Sequence, residues 1–153
     1  MEIHFQASLQ LSHETGTLIY PMFSLRNLGI ALLRQGNLKQ AKEFYLENLS
    51  LSESVIWIEN KWVTYDVLTI ILGMAGFASE LGQANQAWRL LGVVEKEFES
   101  FFKPLDIWDQ AEFDRIAGEV RHQLDDLTFN ATWSAGRELT LEQALTEARQ
   151  VTP

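Results

Sequence analysis

The side chains able to do chemistry here are three histidines and a surplus of carboxylates. His4, His13 and His122 are far apart in sequence. None has a second ligand at metal-binding spacing, and no H-E-x-x-H occurs, so no metal site is expected. Asp106 with Asp109, and Asp125 with Asp126, form close carboxylate pairs. A working acid–base pair needs unequal burial to separate its pKa values. These pairs fall near expected helix starts, where a carboxylate interacts well with the helix dipole, so capping is the simpler account. There is no cysteine, which excludes disulfides, thiolate metal sites and a cysteine nucleophile. No G-x-S-x-G elbow is present. The nine glycines are isolated and build no phosphate-cradling loop. No catalytic residue and no cofactor are expected. The chain reads as a non-enzyme.

The balance of charge narrows the partners. Twelve basic residues stand against 21 acidic ones, for a net charge of −9. Nucleic acid and anionic membranes both select clustered Lys and Arg, so neither is an expected partner. No run of ~18 apolar residues suggests a membrane span. Met1-Glu2-Ile3-His4-Phe5 has no basic-then-apolar leader pattern, so the cytoplasm is the expected compartment. Asn130-Ala131-Thr132 fits a glycosylation sequon, which means little without secretion. The 153 residues are one domain's worth.

Something must position whatever surface this chain uses, and the spacing of apolar residues says helices. Leu25, Leu28, Gly29 and Leu32 fall at i, i+3, i+4 and i+7, which predicts a helix from Pro21 to about Gly36. Gly36 ends it in the left-handed conformation. Asn37 caps the next helix, with Gln40 three residues on. That second helix carries Leu38, Ala41, Phe44, Tyr45 and Leu49. So short a link makes the two an antiparallel hairpin. The pattern returns with Ile71, Met74, Ala75 and Ala78, then Gly82, then Ala84, Ala87, Trp88, Leu91 and Val94. Phe5, Leu9, Leu11 and Ser12 match Tyr45, Leu49, Leu51 and Ser52 at a constant offset of 40. Self-similarity at such a period predicts a helical solenoid. The first residues then read as half a hairpin, either because the chain is part of something longer or because it lacks an N-terminal cap. After Pro104 three helices are expected: Trp108 to Leu124, a short one ending at Gly136, and a last one opened by the Thr140–Gln143 capping box.

Leu25, Leu28, Gly29, Leu32, Gly36, Leu38, Ala41, Tyr45 and Leu49 resemble the tetratricopeptide repeat pattern. A second resemblance covers Ala87-Trp88-Arg89-Leu90-Leu91-Gly92, Glu112-Phe113, and Phe129 to Ala144 with its Ala131, Trp133, Gly136 and Arg137. It is similar to the C-terminal helical-repeat region of large bacterial transcriptional regulators and signal-transduction ATPases. The two likenesses imply an all-α, right-handed α-α superhelix. Residues 1–103 would form the hairpins, the first one partial. Residues 104–153 would form a C-terminal helical cap, packed with the repeats as one domain. The implied function is that of a protein-docking or sensor arm.

In tetratricopeptide folds the first helix of each hairpin lines the concave face. That implies a partner-binding set of Phe23, Arg26, Asn27, Ile30, Leu33, Arg34 and Leu72. Arg26 and Asn27 could hold a peptide carboxylate, but Thr69, Leu72, Gly76, Ser79 and Glu80 supply no second basic residue. A mixed apolar groove for a helix or extended peptide fits better. Trp57, Trp62 and Tyr65 read either as an exposed aromatic patch or as residues buried between hairpins. Phe5, Leu9 and Leu11 would serve as a self-association edge if exposed. The expected partner is a protein or peptide, which includes a second copy or further repeats. The alternative is a small-molecule pocket between the second hairpin and the C-terminal helices.

Overall fold

The computed structural model describes residues 19–56 and 59–151. The half-hairpin expected at the start, with Phe5, Leu9 and Leu11, lies outside them, as do Trp57 and the side chain of Phe23. Among the described residues there are seven α-helices and no strand, so the chain is all-α. It divides into two compact units, one ending at Gly73 and one beginning at Met74.

In the first unit α1 (Ile19–Arg34) packs along α2 (Leu38–Val55). Pro21 falls in the first turn of α1, where its missing N–H has no intrahelical partner to lose. The link between the helices is a Schellman stop. Gly36 has φ 76°, its N–H donates to the Leu33 carbonyl, and the Asn37 N–H donates to the Leu32 carbonyl. Asn37 then caps α2 by accepting the Gln40 N–H at 3.3 Å. The expected capping box takes a different form, since the Gln40 side chain accepts from the Asn37 carboxamide at 2.6 Å instead of from its backbone.

Tyr45 fills the space left by two glycines. It is fully buried, and a Cβ on Gly29 or on Gly73 would lie 3.0 Å from its ring. The missing side chain of Gly29 leaves room that the ring of Tyr45 uses. Asn48, also fully buried, donates from Nδ2 to the Met22 carbonyl at 2.8 Å. A polar side chain in the core is kept there by that bond.

Helix α2 ends at Val55, and Asn60 opens α3 (Lys61–Glu80) by accepting the Trp62 N–H at 2.9 Å. Residues 67–79 of α3 are buried without interruption. A helix buried on every side carries no apolar stripe. By length and composition α3 could cross a membrane, but 83% of its most apolar window is buried inside the protein.

The second unit holds the end of α3, then α4 (Ala84–Glu99), α5 (Ile107–Gln123), α6 (Asp126–Arg137) and α7 (Leu141–Arg149). Gly82 repeats the Schellman stop 46 residues after Gly36, with φ 75° and the same two bonds, from Gly82 N to Ser79 O and from Gln83 N to Ala78 O. Helix α4 is the hub, packing against α5, α6 and α7. Ile116 and Val120 of α5, and Ala144, Leu145 and Ala148 of α7, are buried as their spacing predicts. The capping box of α7 is present in both directions, with Thr140 and Gln143 bonding each other's backbone N–H.

Candidate functional site

The motif residues of the C-terminal half converge on one joint. The rings of Trp88 on α4 and Trp133 on α6 stack at 4.1 Å, and Phe129 stacks on Trp88 at 4.4 Å. The Trp88 indole N–H donates to the Phe129 carbonyl at 2.9 Å. Arg121 lies over the Phe129 ring at 4.5 Å. Gly92 and Gly136 let the two backbones meet, for a Cβ on Gly92 would lie 3.1 Å from the Trp133 carbonyl oxygen. Arg89 grips Glu147 of α7 with two bonds, at 3.0 and 2.5 Å. Arg137 reaches back to Glu95 at 3.2 Å and Glu99 at 2.7 Å. Lys96 donates to the Leu139 carbonyl at 2.7 Å. Every polar member of this set has its partner inside the joint. It clamps helices and offers no free reactive group.

Perturbed acidity follows the same rule. The bond to Glu147 holds the Arg89 guanidinium above its ordinary pKa, with burial opposing. Arg115 is raised mainly by Glu112, with Glu119 and Glu80 adding to it. Asp125 is held below the ordinary carboxylate range because it accepts the Thr128 N–H and hydroxyl, at 2.8 and 2.9 Å, as the cap of α6. These are structural ion pairs and a cap. A depressed carboxyl pKa contributes stability that is present above the unfolded value and lost as pH falls through the folded value. Asp125→Ala is therefore expected to lower thermal stability at neutral pH. Melting curves should show the gap from wild type closing as pH falls below the ordinary carboxylate range. Of the other three paired carboxylates, Asp106 sits at the N-cap of α5 without a side-chain cap bond and pairs instead with Lys103 at 3.0 Å. Asp126 pairs with Arg121, and Asp109 lies in the first turn of α5. Among the described residues no group of His, Asp or Glu is arranged to hold a metal ion.

The residues assigned to a concave face do not share one surface. Leu33 is buried, because it continues the row of Leu25 and Gly29 that packs into the hairpin. Leu72 is buried because α3 is enclosed on all sides there. Arg26, Asn27 and Ile30 are half-buried, and Arg34 is exposed. Of the aromatic set that could be exposed or buried, Trp57 lies outside the described residues. Trp62 is exposed, whereas Tyr65 sits on the inward face of α3 and is buried.

A different surface stands out in the second unit. The chain leaves α4 through Phe98, Phe101 and Phe102, whose rings follow one another at 5.0 and 4.8 Å. It then turns at Pro104 into α5. Between α4 and α5 lies a groove of about 290 Å³, lined by Val94, Glu95, Phe98, Glu99, Leu105 and Phe113 among others. Beside it in sequence, Ile107 is 79% and Trp108 83% exposed, and Phe102 is also exposed. Sequence spacing passed over this site because a loop has no period. The available signal was composition, since Phe101, Phe102, Ile107 and Trp108 crowd around a proline.

No family model, no curated protein and no solved structure matches this chain.

Proposed function

We propose that this chain is a non-catalytic protein-interaction module, a tetratricopeptide-like docking or sensor arm of the kind found in large bacterial regulators, working in the cytoplasm. Repetition of one hairpin grammar supports the repeat reading, since Gly36 and Gly82 make identical helix stops. The observation that carries the interaction reading is the exposure of Ile107 and Trp108, which fall in sequence between the groove residues Leu105 and Gln110. Large apolar side chains left in water mark candidate binding surfaces, and tryptophan is enriched among the residues that dominate binding energy. A protein or peptide segment would lay its apolar side chains there. Arg26, Asn27, Ile30 and Arg34 on α1, half-buried or exposed, would be a separate binding set of the first unit.

The test is paired capture. Immobilised wild type and an Ile107→Ser/Trp108→Ser variant are exposed to the same bacterial lysate. The variant should match wild type in helicity and melting temperature, because both side chains are already solvated. A protein retained by wild type and lost on the variant is the expected result. Identical retention profiles would remove the groove from the account.

A second reading, small-molecule sensing, is favoured by the position of the groove where α4 meets the C-terminal helices. A melting-temperature rise with a metabolite, abolished by Phe113→Ala, would select it.

A further inference from the structure

We infer that the segment received by the α4–α5 groove is basic, with one large apolar side chain flanked by lysine or arginine; this rests on the interaction reading and gives its partner a chemical class. Residues 94–115, the stretch from which the groove lining is drawn, carry seven carboxylates (Glu95, Glu97, Glu99, Asp106, Asp109, Glu112 and Asp114) against Lys96, Lys103 and Arg115. Two of the carboxylates are in the wall itself. Glu95 and Glu99 are four residues apart on α4, hence on one face, and both line the groove. Among the described residues both pair with Arg137, each through its Oε1. An ionised carboxylate has about four acceptor sites, so each keeps capacity for an incoming donor. The floor is apolar, made by Val94, Phe98, Leu105 and Phe113. About 290 Å³ is room for one large side chain and lies at the lower end of ligand-sized pockets. The indole of Trp108, 83% exposed, offers a face on which a lysine or arginine can stack. An acidic segment would meet repulsion at Glu95 and Glu99, and a neutral one would leave their field unused.

The probe is a labelled amphipathic Lys/Leu helix, compared with its Glu/Leu and Lys/Ser counterparts by fluorescence anisotropy on the full chain. The Lys/Leu helix is expected to bind, and to weaken as salt rises. Ile107→Ser/Trp108→Ser and, separately, Glu95→Gln/Glu99→Gln should each weaken it about tenfold. Glu43→Gln/Glu47→Gln, which removes two exposed carboxylates from α2, should leave it unchanged. Should the Glu95/Glu99 variant lose helicity, the Ile107/Trp108 variant carries the test alone. Equal binding of the Lys/Ser peptide would overturn the proposal, because charge without an anchor would suffice. Binding of the Glu/Leu helix as tightly as the Lys/Leu helix, or no binding of the latter, would also overturn it. The paired capture above would still stand or fall independently, since it asks only whether Trp108 matters to a natural partner.

Discussion

Gly136→Ala is expected to destabilise the second unit by about 3 kcal/mol, seen as a melting temperature lower by roughly 6–12 °C. Gly136 is buried on α6 at its crossing with α4. A Cβ there would overlap the Arg89 carbonyl oxygen and would lie 2.9 Å from the Arg89 carbonyl carbon and Cα. These are backbone atoms inside a helix and cannot swing aside as a flexible side chain would. The helices must separate, and the Trp88–Trp133 stack and the Trp88 bond to the Phe129 carbonyl lie in the same contact. The gain in helix propensity from glycine to alanine, about 0.5–1 kcal/mol, is too small to offset this. Gly118 supplies the control. It is exposed on α5, with nothing within 4 Å of an added Cβ. Gly118→Ala should therefore stabilise the protein by that same 0.5–1 kcal/mol. Equal effects at the two glycines would mean that the α4–α6 crossing is not as close as described.

Asn48→Asp should destabilise the first unit by about 3–5 kcal/mol at neutral pH. The substitution is nearly isosteric, so packing is not the issue. The side chain is fully buried, and its Nδ2 donates to the Met22 carbonyl across the hairpin. An ionised aspartate would place a charge without a counter-ion in the core and set it against a carbonyl oxygen. Burial would raise the carboxyl pKa in the folded state above its unfolded value. The protonated form is then favoured on folding, so the penalty is largest at neutral pH and shrinks as pH falls toward the unfolded value. At low pH the neutral carboxyl can donate to Met22 and recover much of the wild-type stability. Urea melts at several pH values measure this directly. A pH-independent deficit would show that the site admits water.

How much of this was legible in the sequence depends on what each residue does locally. Gly36 and Gly82 announced helix stops because a left-handed turn is a local demand, and both turns carry the expected bonds. Thr140 and Gln143 were equally legible, since a capping box needs only four residues. Ile116, Val120 and Ala144 followed from period alone. Leu72 was placed on a binding face that it does not share. Periodicity separates an inner face from an outer one, but residues 67–79 have no outer face. Asn48 gave no sign that its carboxamide would be enclosed, because its partner is 26 residues away. The groove was least visible of all, being made by an irregular turn between α4 and α5 and by side chains whose exposure no pattern encodes.

The most direct test of the central claim, that this chain works by docking a partner in the α4–α5 groove, is hydrogen exchange with mass analysis on the full chain. It would be measured with and without the protein captured in a Trp108-dependent manner. The account predicts new protection across residues 94–113, with the exchange of residues 26–34 changed less. Protection confined to residues 26–34, with 94–113 unaltered, would contradict it and return the binding surface to α1.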